Sequence, residues 1–294
     1  MNVYKDETMK EQIIKRMQFD NPWWVSGSIP NDYKSMQHRL YLDTFMPMVA
    51  DVSTRRGVIL MGPRRVGKTV MIFHTIEELI KNGVPAQKII YLSIDTPIYN
   101  NISLEDMLQL ARESLKQSDA SMDGYFVFYD EIQYLKDWEI HLKSLIDSYR
   151  NIKFVASGSA AAALKMKSTE SGAGRFTDFM LRPLTFNEYI HLLDLNNLIV
   201  PTRMIRDGRE INSYDTIDID LLNKHFVDYI NYGGYPEIVL SKKMQDDITQ
   251  YVRHDIVDKV MLRDLPSLYG IKDIQELNRL FVYIVYHTGE EFSY

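Results

Sequence analysis

The chain has 294 residues, 45% apolar and 25% charged, so it can bury one large hydrophobic core or two smaller ones. Its formal net charge of −6 argues against a strongly basic nucleic-acid-binding domain, although a local basic patch remains compatible with it. The chain contains no cysteine, which excludes disulfides, thiolate metal sites and cysteine nucleophiles. Any metal ion is therefore expected to have oxygen ligands.

The apolar runs, such as Val58 to Met61, are far shorter than the roughly 20 residues needed to cross a bilayer. Residues 1–20 mix charged side chains with few apolar ones, unlike the apolar core of a secretory signal. We therefore expect a cytoplasmic protein with no membrane partner.

Residues 1–56 are predicted to form an N-terminal arm with helices. This region has no glycine-rich or catalytic pattern, but it includes the aromatic cluster Asn21-Pro22-Trp23-Trp24. Because aromatic side chains bury large areas, the cluster is interpreted as a packing anchor for the arm.

From residue 57 onward, predicted strands and helices alternate. Short continuous apolar runs predict buried strands at 57–61, 88–95, 125–129 and 152–156. Helical spacing of apolar residues predicts helices at 69–81, 104–115 and 138–149, the second of them capped by Ser103. This alternation predicts an α/β fold in which helices cover both faces of a parallel sheet.

After Ser157 the sequence changes character. The small and polar segment 168–174 is predicted to be a mobile loop. Thr185-Phe186-Asn187-Glu188 has capping-box spacing and predicts a helix through Leu195. Residues 217–287 are predicted to be almost wholly helical, so we expect a core at 57–190 and a helical lid, with the start of a C-terminal helical region, at 191–294.

The first predicted strand leads directly into a glycine-rich octapeptide of the form G-x-x-x-x-G-K-T. Gly62 and Gly67 allow the backbone to take conformations closed to other residues and to approach phosphates closely, so that successive N–H groups can surround the anion. Lys68 is expected to neutralise the β and γ phosphates, and the Thr69 hydroxyl to bind Mg²⁺. The candidate nucleotide-binding residues are Gly62, Pro63, Arg64, Arg65, Val66, Gly67, Lys68, Thr69 and Val70.

An acidic pair, Asp130-Glu131, follows the third predicted strand. Buried carboxylates are costly unless a cation or water satisfies them. Asp130 is therefore the expected Mg²⁺ partner, usually through a water molecule, and Glu131 the base that orients the attacking water. The alternative is that the pair only caps the following helix.

The fourth predicted strand ends in Ser157-Gly158-Ser159, at the edge where doubly wound sheets bind ligands. Ser157 is the candidate contact to the γ-phosphate or the attacking water, whereas Ser159 also suits a helix cap before Ala160.

Cationic side chains that could stabilise charge at the γ-phosphate are Arg64, Arg65 and Arg175. A solvated surface role is the alternative for each of them. The segment Gly233-Gly234-Tyr235-Pro236-Glu237 is either a hinge that couples the lid to the nucleotide state or a tight turn between helices.

Several of these segments, in this order, resemble prokaryotic AAA+-superfamily ATPases related to the archaeal ATPases. In that family a P-loop domain precedes a winged helix and often a nuclease-like domain. The resemblance covers residues from about 21 to 265. It rests on Asn21-Pro22-Trp23-Trp24, the octapeptide 62–69, Asp130-Glu131-Ile132-Gln133 with Trp138, Ser157-Gly158-Ser159, Gly174-Arg175-Phe176, the segment 182–189 and the segment 233–237.

The resemblance implies a Mg²⁺-dependent, ATP-binding core with a helical lid. It assigns the family's roles to Lys68, Thr69, Asp130 and Glu131, and it adds weight to Arg175. General similarity along the chain continues to about residues 289–294, where longer relatives begin their winged helix. The resemblance leaves room for a homo-oligomer, and for a DNA or protein client bound through a C-terminal region outside this chain.

Three functions fit these residues. The first is an ATPase that produces ADP and phosphate. The second is a nucleotide-gated switch or scaffold with little turnover. Only the presence of Glu131 favours the first function over the second. The third, a P-loop kinase or GTPase, is disfavoured because Asn223-Lys224-His225-Phe226 lacks the acid of a guanine-reading segment.

Overall fold

The computed structural model describes residues 7–115, 122–159, 174–206 and 209–290. It divides into two compact units, Met1–Leu240 and Ser241–Tyr294. The predicted cap at Ala160 and nearly all of the predicted loop at 168–174 lie outside the described residues. The division into domains at residues 56 and 190 stays a prediction.

A five-stranded parallel sheet forms the centre of the first unit, in the order β2-β3-β4-β1-β5. Its strands are β1 (Gly57–Gly62), β2 (Ile89–Ser93), β3 (Phe126–Asp130), β4 (Lys153–Ser159) and β5 (Phe176–Met180). Every residue of β1, β3 and β4 is buried, which requires cover on both faces of the sheet. The predicted α/β fold with a parallel sheet is confirmed.

Strand β5 is missing from the sequence prediction. It lies at the edge of the sheet beside β1, and only Phe179 in it is buried. Because Thr177 and Asp178 interrupt its apolar residues, it has no continuous hydrophobic run to reveal it.

The helices of the first unit follow the predicted order, with bounds shifted by a few residues. They are α1 (Glu7–Asp20), α2 (Trp23–Ser26), α3 (Asn31–Lys34), α4 (Leu42–Ala50), α5 (Lys68–Lys81), α6 (Leu104–Ser114), α7 (Trp138–Ser148), α8 (Phe186–Leu192), α9 (Ile219–Tyr232) and α10 (Pro236–Leu240). Ser103 caps α6 through a bond from the Asp106 amide, and Thr185 and Glu188 form the predicted capping box of α8.

The aromatic cluster of the N-terminal arm lies against the edge strand β2. The indole N–H groups of Trp23 and Trp24 both donate to the Ile89 carbonyl, at 2.9 and 2.7 Å. The Asn21 side chain accepts from the Tyr91 amide (2.6 Å) and donates to the Tyr91 carbonyl (2.8 Å). These bonds satisfy backbone groups at an edge that would otherwise be open to another strand.

Asn21→Ala is expected to destabilise the protein by about 2–4 kcal/mol, because it leaves buried polar groups of Tyr91 without their partner. Urea unfolding should show a lower midpoint with an unchanged slope. Gln12→Ala serves as the control, because Gln12 is an exposed residue on α1. Equal midpoints for the Asn21 variant and the wild type would contradict this role.

Two further strands, β6 (Ile199–Arg206) and β7 (Arg209–Thr216), pair antiparallel in a hairpin that is not predicted from the sequence. Most of its residues are exposed, so burial imposes no alternation of apolar and polar side chains. A second apolar cluster lies nearby in the chain and contains Leu184, Tyr189, Ile190, Leu192 and Val239.

The secondary structure described in the second unit is helical, as predicted. It contains α11 (Lys242–Asp246), α12 (Ile248–Tyr251), π-helical turns at Val252–Val257 and Val260–Asp264, α13 (Leu265–Tyr269) and α14 (Ile274–Tyr286). In the apolar stripe of α14, Leu277 and Phe281 are half-buried while Leu280 and Ile284 are exposed. No helix in the described ranges is both long and apolar enough to cross a membrane.

Candidate functional site

The predicted phosphate loop joins the end of β1 to the beginning of α5. Gly67 has φ +96°, a left-handed conformation that favours glycine. Gly62 has an ordinary conformation, and its need for glycine is steric: an added Cβ would lie 2.4 Å from the Leu181 carbonyl oxygen. The sequence analysis attributes a special backbone conformation to both glycines, and the structure corrects this for Gly62.

The first turn of α5 supplies backbone N–H groups to the loop. The amides of Lys68, Thr69 and Val70 have no carbonyl one turn earlier within the helix to accept from them. Together with the positive end of the helix dipole, they make this turn a suitable site for a phosphate.

The Lys68 side chain is buried within the loop. Its ammonium donates to the carbonyl oxygens of Gly62 and Pro63, both at 3.1 Å. These contacts hold the positive charge at the carboxyl end of β1, beside the N-terminus of α5, where the sequence predicts the phosphates to bind.

Asp130 lies at the end of β3 and is almost completely buried. Its Oδ2 accepts from the Thr69 hydroxyl at 2.8 Å and from the Tyr91 hydroxyl at 2.9 Å. Its Oδ1 accepts from the Ser157 hydroxyl and from the Glu131 amide, the latter at 3.1 Å. The fold thus brings both predicted metal residues, Thr69 and Asp130, into direct contact.

Oxygen-rich surroundings of this kind suit a hard cation such as Mg²⁺. The Thr69 hydroxyl uses its proton on Asp130, which leaves lone pairs of the same oxygen for a metal. Asp130 already accepts four hydrogen bonds, so its arrangement fits a carboxylate that orients a ligand or a metal-bound water.

Tyr91, on β2, is a site residue that the sequence analysis misses. Burial and the neighbouring Asp130 carboxylate raise the pKa of Tyr91 well above its ordinary value, so the hydroxyl remains a donor. The sequence gives no signal for it, because it lies within an ordinary apolar strand and meets Asp130 only through the pairing of β2 with β3.

Glu131 follows Asp130 with φ 55°, an uncommon conformation for a residue other than glycine. Its amide donates to Asp130 and to the Ser157 hydroxyl at 3.1 Å, which stabilises this turn. Burial raises the pKa of the Glu131 carboxyl above its ordinary value, while Lys68 opposes the shift.

Gln133 holds the Glu131 carboxylate and is a second residue whose role sequence reasoning misses. Its amide nitrogen donates to Glu131 Oε2, and its carbonyl oxygen accepts from the Ser159 amide at 3.3 Å. Gln133 therefore connects the acidic pair to the end of β4.

The structure gives Ser157 a contact different from the predicted one. Ser157 is fully buried, donates its proton to Asp130 and accepts from the Glu131 amide. Its hydroxyl therefore orients the acidic pair, and a contact between Ser157 and the γ-phosphate or the attacking water stays a prediction.

Arg175 is not brought to the phosphate loop of its own chain. It precedes β5, and its carbonyl accepts from the Gly57 amide at 2.9 Å, at the opposite end of β1 from Gly62. The length of β1 separates those ends by about 17 Å. The Arg175 guanidinium instead donates to Asp147 at 2.6 Å on the surface, which lowers the pKa of that carboxyl.

Arg64 and Arg65 remain at the loop but face neighbouring side chains. Arg64 donates to the Tyr134 hydroxyl at 3.5 Å. Arg65 donates to Glu237 Oε2 at 3.0 Å, and Pro236 is the nearest neighbour that a Cβ on Gly67 would meet, at 3.9 Å. The segment 233–237 therefore lies directly beside the phosphate loop.

A phosphate loop after the first strand and an acidic pair after the third, on a parallel sheet of order β2-β3-β4-β1-β5, resemble an AAA+ P-loop ATPase domain. Residues 54–190 match the family described as AAA domain. Residues 223–294 match a family described as a domain of unknown function, DUF8612. The predicted resemblance to AAA+ ATPases is confirmed for the core.

The curated relatives have no characterised function. An uncharacterized protein of Haemophilus influenzae is 24% identical over 79% of this chain and 52% of its own length. An uncharacterized protein of Methanocaldococcus jannaschii is 28% identical over 76% of this chain and 44% of its own length. The chain thus spans about half the length of the curated relatives it matches.

Two solved structures are similar at low identity. The Orc1 protein of Aeropyrum pernix in complex with DNA gives a TM-score of 0.47 at 12% identity, covering 92% of this chain and 83% of that one. Saccharomyces cerevisiae Hsp104 in its casein complex gives 0.40 at 15% identity, covering 64% and 32%.

Proposed function

We propose that this protein binds ATP with Mg²⁺ and hydrolyses it to ADP and phosphate. The observation that supports the proposal most directly is the 2.8 Å hydrogen bond from Thr69 to Asp130. It joins the phosphate loop to the acidic pair, so the groups that bind phosphate lie beside the groups that would activate water.

Binding of the triphosphate uses the loop and the first turn of α5. The backbone N–H groups there would surround the β-phosphate, and the Lys68 ammonium would exchange its bonds to Gly62 and Pro63 for phosphate oxygens. Thr69 and Asp130 would hold Mg²⁺, which when bound withdraws charge from the phosphate oxygens. Tyr91 and Ser157 keep the Asp130 carboxylate in a fixed orientation.

Glu131 is proposed as the base that takes a proton from the attacking water. Its raised pKa makes its carboxylate a better proton acceptor than an exposed glutamate. Gln133 limits the directions that this carboxylate can take.

The segment 233–237 is proposed to respond to the nucleotide, because Glu237 pairs with Arg65 of the phosphate loop. A nucleotide in the loop would compete electrostatically for the Arg65 guanidinium. A nucleotide-gated switch with little turnover would use the same contact, and it remains the alternative function. A homo-oligomer, a DNA or protein client and a cytoplasmic location stay predictions.

A phosphate-release assay tests the proposal and separates it from the switch. ATP with Mg²⁺ should give steady phosphate release, which chelation of Mg²⁺ abolishes and which GTP does not reproduce. Tight ATP binding without release would favour the switch, and failure to bind ATP would overturn both functions.

Arg175→Ala is expected to leave ATP affinity and turnover unchanged at protein concentrations where the chain is monomeric, because Arg175 lies at the other end of β1. If Arg175 instead acts on the phosphate of a neighbouring subunit, turnover should rise with protein concentration in the wild type and not in the variant. Phosphate release measured over a dilution series tests this. Identical dilution curves for both proteins would eliminate Arg175 from the site.

A further inference from the structure

Arg39, in the segment between α3 and α4, is a buried arginine that contacts the phosphate loop. Its side chain is 5% exposed and forms a two-pronged ion pair with Glu188, at 2.7 and 2.9 Å. Its guanidinium also donates to the Val66 carbonyl (2.7 Å) and the Arg182 carbonyl (2.9 Å). Four hydrogen bonds offset the cost of removing this charge from water.

The bond to Val66 determines how the next peptide group is oriented. In a trans peptide the C=O and the following N–H point in opposite directions. Because the Val66 carbonyl points toward Arg39, the Gly67 N–H points away from Arg39. Gly67, with φ +96°, directly precedes the first turn of α5, so this N–H extends the row of donors formed by the amides of that turn.

We infer that Arg39 is a positioning residue for phosphate binding, which fixes the Val66–Gly67 peptide so that the Gly67 N–H faces the phosphates. This inference rests on the proposed ATP site and adds a residue outside its sequence motif. Arg39 does not touch the phosphates, and it acts through the backbone of the loop.

The same contacts connect the loop to the region beyond the core. Glu188 belongs to α8, where the neighbouring Tyr189 packs against Tyr229 of α9 with ring centres 5.7 Å apart. The Leu184 amide donates to the Gly234 carbonyl at 3.0 Å. A shift of α8 would therefore move Glu188, its partner Arg39 and the Val66 peptide together.

Arg39→Lys is the first test, because lysine keeps the charge but has no planar fork to hold Glu188 and two carbonyls at once. Affinities for ATP and for inorganic tripolyphosphate are measured by calorimetry, and folding by thermal unfolding. Both affinities should fall by the same factor, roughly ten- to a hundredfold, as expected for a hydrogen bond to a charged group. In turnover assays KM should rise by far more than kcat falls. The matched control is Arg16→Lys, because Arg16 is an exposed arginine paired with Asp20. This variant should keep the wild-type affinities for ATP and tripolyphosphate and the wild-type KM and kcat.

If Arg39→Lys does not fold, the double variant Arg39→Met with Glu188→Gln replaces it. This pair removes the buried charges together and retains an amide for the cap of α8. It should also lose affinity for both polyphosphates while unfolding at a temperature near that of the wild type.

Wild-type affinity for both ligands in a folded Arg39 variant would overturn the inference and leave the proposed function intact. A fall in thermal stability alone, with unchanged affinity, would also overturn it, since a purely structural role predicts that result. If the wild type binds neither ATP nor tripolyphosphate, the proposed function and this inference fail together.

Discussion

Lys68→Ala is expected to reduce ATP affinity by on the order of a hundredfold or more, beyond detection in an ordinary titration, while the chain stays folded. Lys68 is 5% exposed, and its ammonium already points into the phosphate loop, where it donates to the Gly62 and Pro63 carbonyls. Alanine removes a charge-assisted donor from a site with little water to replace it.

Calorimetric titration with ATP and Mg²⁺ measures the effect, and thermal unfolding checks the fold. Lys81→Ala is the matched control, because Lys81 ends the same helix but pairs with Glu77 and Glu78 on the surface. The control should bind ATP as the wild type does. If Lys68→Ala also keeps wild-type affinity, the octapeptide is not the nucleotide site.

The sheet and the phosphate loop could be predicted from the sequence because their signals are local. Strands β1, β3 and β4 are buried along their whole lengths, and each contains a short continuous apolar run. The loop is a contiguous octapeptide in which each constrained position has its own physical requirement. The edge strand β5 and the hairpin β6–β7 lack both kinds of signal because they are partly exposed.

The residues that hold the site in place could not be predicted, because their partners are distant in the chain. Arg39 is 27 residues from Val66 and 149 from Glu188, and Tyr91 is 39 residues from Asp130. Each has an ordinary sequence context, and only the packing of the strands and the arm brings the partners together. The position of Arg175 could not be predicted for the same reason. Its sequence context, directly after Gly174, does not reveal that it lies at the other end of β1.

Glu131→Gln is expected to leave ATP binding intact and to slow phosphate release by on the order of a hundredfold or more, because glutamine cannot accept the proton of the attacking water. Glutamine preserves the shape of the side chain and can still bond to Gln133. Calorimetry should therefore show an ATP affinity near that of the wild type, whereas the phosphate-release assay should show a greatly reduced kcat. Glu113→Gln, which alters only a surface pair with Lys10, should change neither quantity.

The pH dependence of kcat gives this prediction a second, independent readout. Burial raises the pKa of Glu131 above its ordinary value of 4.5, so the base becomes protonated, and turnover falls, at a higher pH than an exposed glutamate would give. As pH decreases through that raised pKa the wild type should lose activity, whereas the residual activity of Glu131→Gln should lack this limb. Titration of ATP itself affects both proteins equally, so the difference between their profiles belongs to Glu131. Equal rates and parallel profiles in the two proteins would remove Glu131 from catalysis.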